Sequence, residues 1–129
     1  MVIDQINGTV RVTDSCFYPV RKSSKILLSV DVGDFQAGGS NYSWGEEMVV
    51  GTPNFTETPI NSPGQPLHGA ALHCTTKVMD IRPETNRTSV MYTLQGGLGK
   101  KSFPYAIQTL QEHGSALYQI TFVFIIQDA

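Results

Sequence analysis

Hydrophobic and polar residues alternate with a period of two along much of this chain, and the clearest run is the last one. Folded about Glu112-His113-Gly114-Ser115, the stretch from Phe103 to Ile126 places Phe103 opposite Phe124, Tyr105 opposite Phe122, Ile107 opposite Ile120 and Thr109 opposite Tyr118. Aromatic and β-branched residues facing each other across strands stabilise sheets, so a β-hairpin is expected here. The segment also carries a competing pattern. Phe103, Ala106, Ile107 and Leu110 fit helical spacing, with Ser102 as an N-cap and Gly114 as a stop. Four matched cross-strand pairs favour the strand, and one helix near 103–113 is the alternative.

Five further segments read as strands. Two alternating runs, Val2 to Ile6 and Thr9 to Thr13, flank Asn7-Gly8, whose residues both tolerate the positive φ of a two-residue hairpin turn. Lys25 to Val32 puts Ile26, Leu28, Val30 and Val32 on one face. Ala70 to Ile81 and Arg87 to Leu94 form a hairpin across Pro83-Glu84-Thr85-Asn86, with Val78 against Val90, Thr76 against Tyr92 and Cys74 against Leu94. Gln95 to Lys100 is the Gly-rich hairpin connection that follows. Together these elements predict a single mainly-β domain over 1–129: antiparallel hairpins in a small barrel or sandwich of six to eight strands, or α+β if 103–113 is helical.

The middle of the chain breaks the pattern. Residues 33–66 hold six glycines and four of the seven prolines, around one short strand, Glu47 to Val50. A loop that long inside a domain is either functional or conceals further elements. It carries Phe35, Tyr42, Trp44 and Phe55, and aromatics on a positioned loop offer large contact area at low entropy cost. The expected binding residues are therefore Phe35, Tyr42, Trp44, Glu46, Phe55 and Tyr92. The opposing reading folds these rings back as a lid on the sheet.

Composition narrows the function. Charged residues make up 16% of the chain, below the about 25% of an average domain, which reduces repulsion between copies. A net charge of −2 leaves no electrostatic footprint for nucleic acid. Arg21-Lys22 with Lys25, and Lys100-Lys101, read as solvated turns. The N-terminus lacks the basic and apolar regions of a signal peptide, and no apolar run is long enough to span a membrane. A cytoplasmic location is expected, or an extracellular one if a leader has been removed. Four of five asparagines, Asn7, Asn41, Asn54 and Asn86, lie in Asn-x-Ser/Thr sequons. They mark glycan acceptors in a secreted chain, or otherwise turns and strand starts. Cys16 and Cys74 are too few for a disulfide framework.

No catalytic pattern emerges. His68, His73, Cys74 and His113 have poor metal-ligand spacing, because neighbours on a strand point to opposite faces. The same alternation separates His73 from Cys74 as a base–nucleophile pair. Glu46 and Glu47 beside Trp44 are the best acid–base candidates, with Asp80 behind them, but adjacent glutamates on a strand diverge. Gln95 to Ser102 lacks phosphate-loop spacing. No catalytic residue, metal or cofactor is expected. The function expected is a non-catalytic, self-associating binding module using 33–66, as a homo-oligomer or with a protein or small-molecule partner. The alternatives are a small-molecule-binding barrel or small single-domain enzyme with an end pocket, and a phage or mobile-element structural subunit.

Overall fold

A computed structural model describes residues 1–21, 24–33, 37–44, 47–50, 54–60, 69–79, 87–108 and 114–127. Every regular element among them is a strand: β1 (Val2–Ile6), β2 (Thr9–Val20), β3 (Leu27–Val32), β4 (Ala37–Trp44), β5 (Glu47–Val50), β6 (Phe55–Pro59), β7 (Ala71–Met79), β8 (Arg87–Gln95), β9 (Lys101–Gln108) and β10 (Ser115–Ile126). They form a six-stranded sheet in the order β1-β2-β10-β7-β4-β5 and a four-stranded sheet in the order β6-β3-β8-β9. The expectation of a mainly-β fold holds, as a two-sheet sandwich with no closed barrel. Ten strands exceed the six to eight expected, because 33–66 contributes β4 and β6 beside the foreseen β5. Residues 103–108 are strand, not helix.

The N-terminal hairpin forms as its sequence dictates. Asn7 and Gly8 take φ of 49° and 82°, the left-handed pair that a tight hairpin turn needs. β1 and β2 then run in register from Ile6↔Thr9 to Val2↔Thr13.

The other two expected hairpins are corrected. β9 pairs with β8, whereas β10 lies in the other sheet, antiparallel to β7 and parallel to β2 over Ala116↔Val10 to Ile126↔Val20. β7 and β8 likewise lie in different sheets. These segments do meet, but across the core rather than along a ladder. Tyr92 Oη donates to Thr76 Oγ1 at 2.7 Å as a pair that was expected, whereas Phe103, expected opposite Phe124, meets Phe122 instead, the tilted rings 4.9 Å apart. Alternation reports which residues share a buried face. It does not say whether the facing partner is a ladder neighbour or a residue of the opposite sheet, because both place apolar side chains in contact. The expected turn at 83–86, and Thr109 with the turn at 112–113, lie outside the described residues. Gln95 to Lys100 does link a hairpin, β8 to β9, and Tyr18 pins it: its hydroxyl donates to the Gly99 carbonyl at 2.6 Å and accepts from Gly97 N at 3.1 Å.

The core lies between the sheets. β10 supplies Ala116, Tyr118, Ile120, Phe122 and Phe124, all fully or almost fully buried. Around them pack Tyr18, Trp44, Tyr92 and Phe103. Removing a ring from such a site leaves a cavity and costs about 3–5 kcal/mol, a large share of the roughly 5–15 kcal/mol that holds a domain folded. Phe122→Ala is therefore expected to lower stability by about 3–5 kcal/mol in a denaturant titration. Phe17→Ala, on the outward face of β2 and 63% exposed, should change it by no more than about 0.5 kcal/mol.

Candidate functional site

The sequence-derived binding residues lie largely in the interior. Tyr42, Trp44, Phe55 and Tyr92 are buried. On β4, Ser40, Tyr42 and Trp44 point inward, with Gly39 exposed and Asn41 and Ser43 half-buried on the outer face. Tyr42 meets Phe55 edge to face at 5.3 Å, and Trp44 packs on Phe124 at 5.3 Å. Tyr42 and Phe55 join the two sheets, Trp44 lies against Phe124 of its own sheet, and these rings present no aromatic platform to solvent. Phe35 and Glu46 lie outside the described residues, as do His68, Asp80 and His113. His73 is on the outer face of the six-stranded sheet, its Nδ1 3.0 Å from Thr121 Oγ1. Among the described residues no three His, Cys, Asp or Glu side chains gather as metal ligands.

Polar groups in the core satisfy one another. Thr76, which accepts from Tyr92, lies 3.0 Å from Ser40 Oγ. The Thr88 hydroxyl donates to the Ile107 carbonyl at 2.8 Å and sits 2.7 Å from Tyr118 Oη. Among the described residues no buried side-chain polar atom lacks a partner, the ordinary condition of a protein interior.

One polar cluster escaped the sequence reading. On β2, Val10, Val12, Tyr18 and Val20 point inward, and the two residues of the same parity between them are Asp14 and Cys16. Tyr105 reaches across from β9 and donates to Asp14 Oδ2 at 2.7 Å, while Cys16 Sγ lies 3.3 Å from its hydroxyl. Burial raises the Asp14 carboxyl, but the bonds from Tyr105 and the Ser15 amide outweigh it and hold the group below the ordinary carboxylate value. Burial and the charge of Asp14 push the Cys16 thiol up, against the pull of Tyr105. A thiol held protonated is a poor nucleophile. The cluster ties β2 to β9. Polar residues at two inward positions of an otherwise apolar face were the available signal.

Two surface features remain. The outer face of β3, β8 and β9 is concave, enclosing about 410 Å3 between Asp31, Gly33, Arg87, Ser89, Met91 and Pro104. Register sets this shape: Asp31, Met91 and Pro104 share one cross-strand row, and Ser89 and Ala106 share the next. The second feature is the N-terminal hairpin. Met1, Val2, Ile3 and Ile6 are 73%, 60%, 53% and 40% exposed, half of the eight large apolar side chains that are exposed among the described residues. β1 is apolar on both faces, a signal present in the sequence that alternation alone does not weigh. No known family model, curated protein or solved structure matches the chain.

Two expected outcomes follow from the buried titratable groups. Burial pushes the Cys74 thiol up and encloses it, so a thiol reagent should label Cys16 slowly in the folded protein and Cys74 only on unfolding. Fast labelling of Cys74 under native conditions would contradict this packing. Burial also raises the Tyr92 and Tyr105 phenols, with Asp14 and Cys16 adding to the shift at Tyr105. Because the folded values lie above the unfolded value of about 10, their stabilisation is complete below that pH and is lost as pH rises beyond it. An alkaline titration should therefore show a falling melting temperature above about pH 10, with tyrosinate absorbance from these two rings appearing together with unfolding.

Proposed function

We propose that this chain is a non-catalytic interaction module that associates with copies of itself. The observation that carries the reading is the concentration of exposed apolar side chains on Met1 and β1, the strand at the rim of the larger sheet. Exposed apolar side chains gathered on one short strand suit a contact surface, whereas scattered exposed residues need no explanation. The contact surface assigned from the sequence, 33–66, moves to this hairpin because Tyr42, Trp44 and Phe55 are committed to the core. The interior supports the same reading, with its polar groups paired and its thiols protonated. A chain with net charge −2 and few charged residues also brings two copies together against little repulsion.

A second reading, recognition of a small molecule, draws on the concavity over β3, β8 and β9, whose volume of about 410 Å3 lies within the range of small-ligand sites. Its rim is polar at Asp31 and Arg87 and its floor apolar at Met91 and Pro104. Tyr42, Trp44, Tyr92 and Tyr118 are buried in the core and do not line it.

Light scattering after gel filtration, at two protein concentrations and two salt levels, tests the first reading. The expected result is an oligomer that dissociates on dilution and persists at high salt, because burial of apolar surface is not screened as ion pairs are. A strict monomer under all four conditions would overturn it.

A further inference from the structure

Among the described residues the two sheets have four edges, at β1, β5, β6 and β9, and a free strand edge is a template for pairing with another chain unless it is blunted. β9 is blunted by Pro104. Gly33 N donates to the Ser89 carbonyl at 2.9 Å, so the Ser89 backbone faces β3, and by alternation Val90 and Tyr92 face β9. Their partners Tyr105 and Phe103 face back, which turns the nitrogen of Pro104 outward, where it has no hydrogen to donate. β6 is blunted by a register break opposite β3, by Glu57 at φ 42° and by Pro59. β5 has only four residues.

β1 has none of these devices. It contains neither Pro nor Gly and pairs with β2 without a bulge. Its turn closes on Ile6↔Thr9, which makes Ile6–Thr9, Asp4–Arg11 and Val2–Thr13 the hydrogen-bonded pairs and leaves the N–H and C=O of Ile3 and Gln5 pointing outward. The one charge on the strand, Asp4, is held by Arg11 through two bonds of 2.9 and 2.6 Å, so it does not guard the edge. Ile3 is on the core side of the sheet, yet it is 53% exposed while its cross-strand partner Val12 is buried. The six-stranded sheet overhangs the four-stranded one here.

We infer that β1 pairs antiparallel with β1 of a second copy about a two-fold axis at Ile3, joining two six-stranded sheets into one. This deepens the self-association proposed above and rests on it. In that register Ile3 exchanges both backbone bonds with its equivalent, Val2 lies against Asp4 and Met1 against Gln5, and the two overhanging isoleucines cover each other. A register pairing Ile3 with Gln5 would instead set each isoleucine against a polar side chain and lose the apolar contact between the two copies. A second copy fits because an antiparallel edge is complementary to itself under a two-fold. Such a contact also uses up the open edge, so assembly closes at two copies rather than running on as a filament.

The test is Ile3→Pro in the full chain, with Ile3→Lys beside it. Proline at this position removes a hydrogen bond only on the outward side, so the hairpin and the melting temperature of the dilute monomer should be unchanged. The expected result is a wild-type dimer whose dissociation constant rises at least tenfold in both variants. Amide exchange should show Ile3 and Gln5 protected in concentrated wild type and unprotected on dilution. A wild-type oligomer that both variants retain, or that Ile3→Lys weakens and Ile3→Pro does not, overturns strand pairing at β1 while leaving self-association standing. Freely exchanging Ile3 and Gln5 amides in the oligomer do the same. A wild-type chain that is monomeric throughout overturns self-association and this contact together. If Ile3→Pro fails to fold, Ile3→Lys and the exchange of the wild-type amides still decide the matter.

Discussion

The fold depends on the burial of one face of β10. This strand has a ladder partner on each side, β2 running parallel and β7 antiparallel. Every second residue from Ala116 to Phe124 faces the opposite sheet and is removed from water. Phe122 touches Phe103 and Tyr92, and Phe124 touches Tyr18 and Trp44, so rings from β2, β4, β8 and β9 converge on two positions of one strand. Aromatic side chains contribute the largest buried areas, and their edge-to-face contacts add to that burial. A sandwich of two open sheets has no continuous ladder joining its halves. The packing of side chains between the sheets is what holds them together.

Polar groups are admitted to that interior where they bridge the sheets. Thr76 and Tyr92, Thr88 and Tyr118, and Asp14 with Cys16 and Tyr105 each link one sheet to the other. An unpaired polar group in such a place would cost as much as a lost hydrogen bond or more, so each pairing favours one relative position of the sheets over a slipped one. This accounts for titratable groups in the core without requiring catalysis of them. At the surface the sheet edges differ from one another. Two edges carry proline or a bulge, whereas β1 presents unpaired backbone groups and apolar side chains together.

Much of the local structure is legible in the residues themselves. Asn7-Gly8 fixes its turn because few other pairs accept two positive φ values. The inward faces of β3, β7, β8 and β10 follow from alternation, since a strand must place successive side chains on opposite sides. The segment 37–44 was harder to read because its glycines and serines signal a loop. Its inward Tyr42 and Trp44 nevertheless keep the period of two, and pairing with β7 on one side and β5 on the other makes it a strand.

The residues alone determined that this is a β-protein, which side chains of β3, β7, β8 and β10 share an inward face, and that β1 is apolar on both faces. Tertiary structure decided which strands share a ladder, that β2 and β10 run parallel, and that the aromatic residues of 37–59 pack inward. It also decided that Asp14, Cys16 and Tyr105 meet, and that β1 overhangs the smaller sheet. The physical reason is that alternation is a property of one strand, whereas pairing, sheet membership and exposure of an edge are relations between strands distant in sequence. Those relations are set by the packing of the whole core.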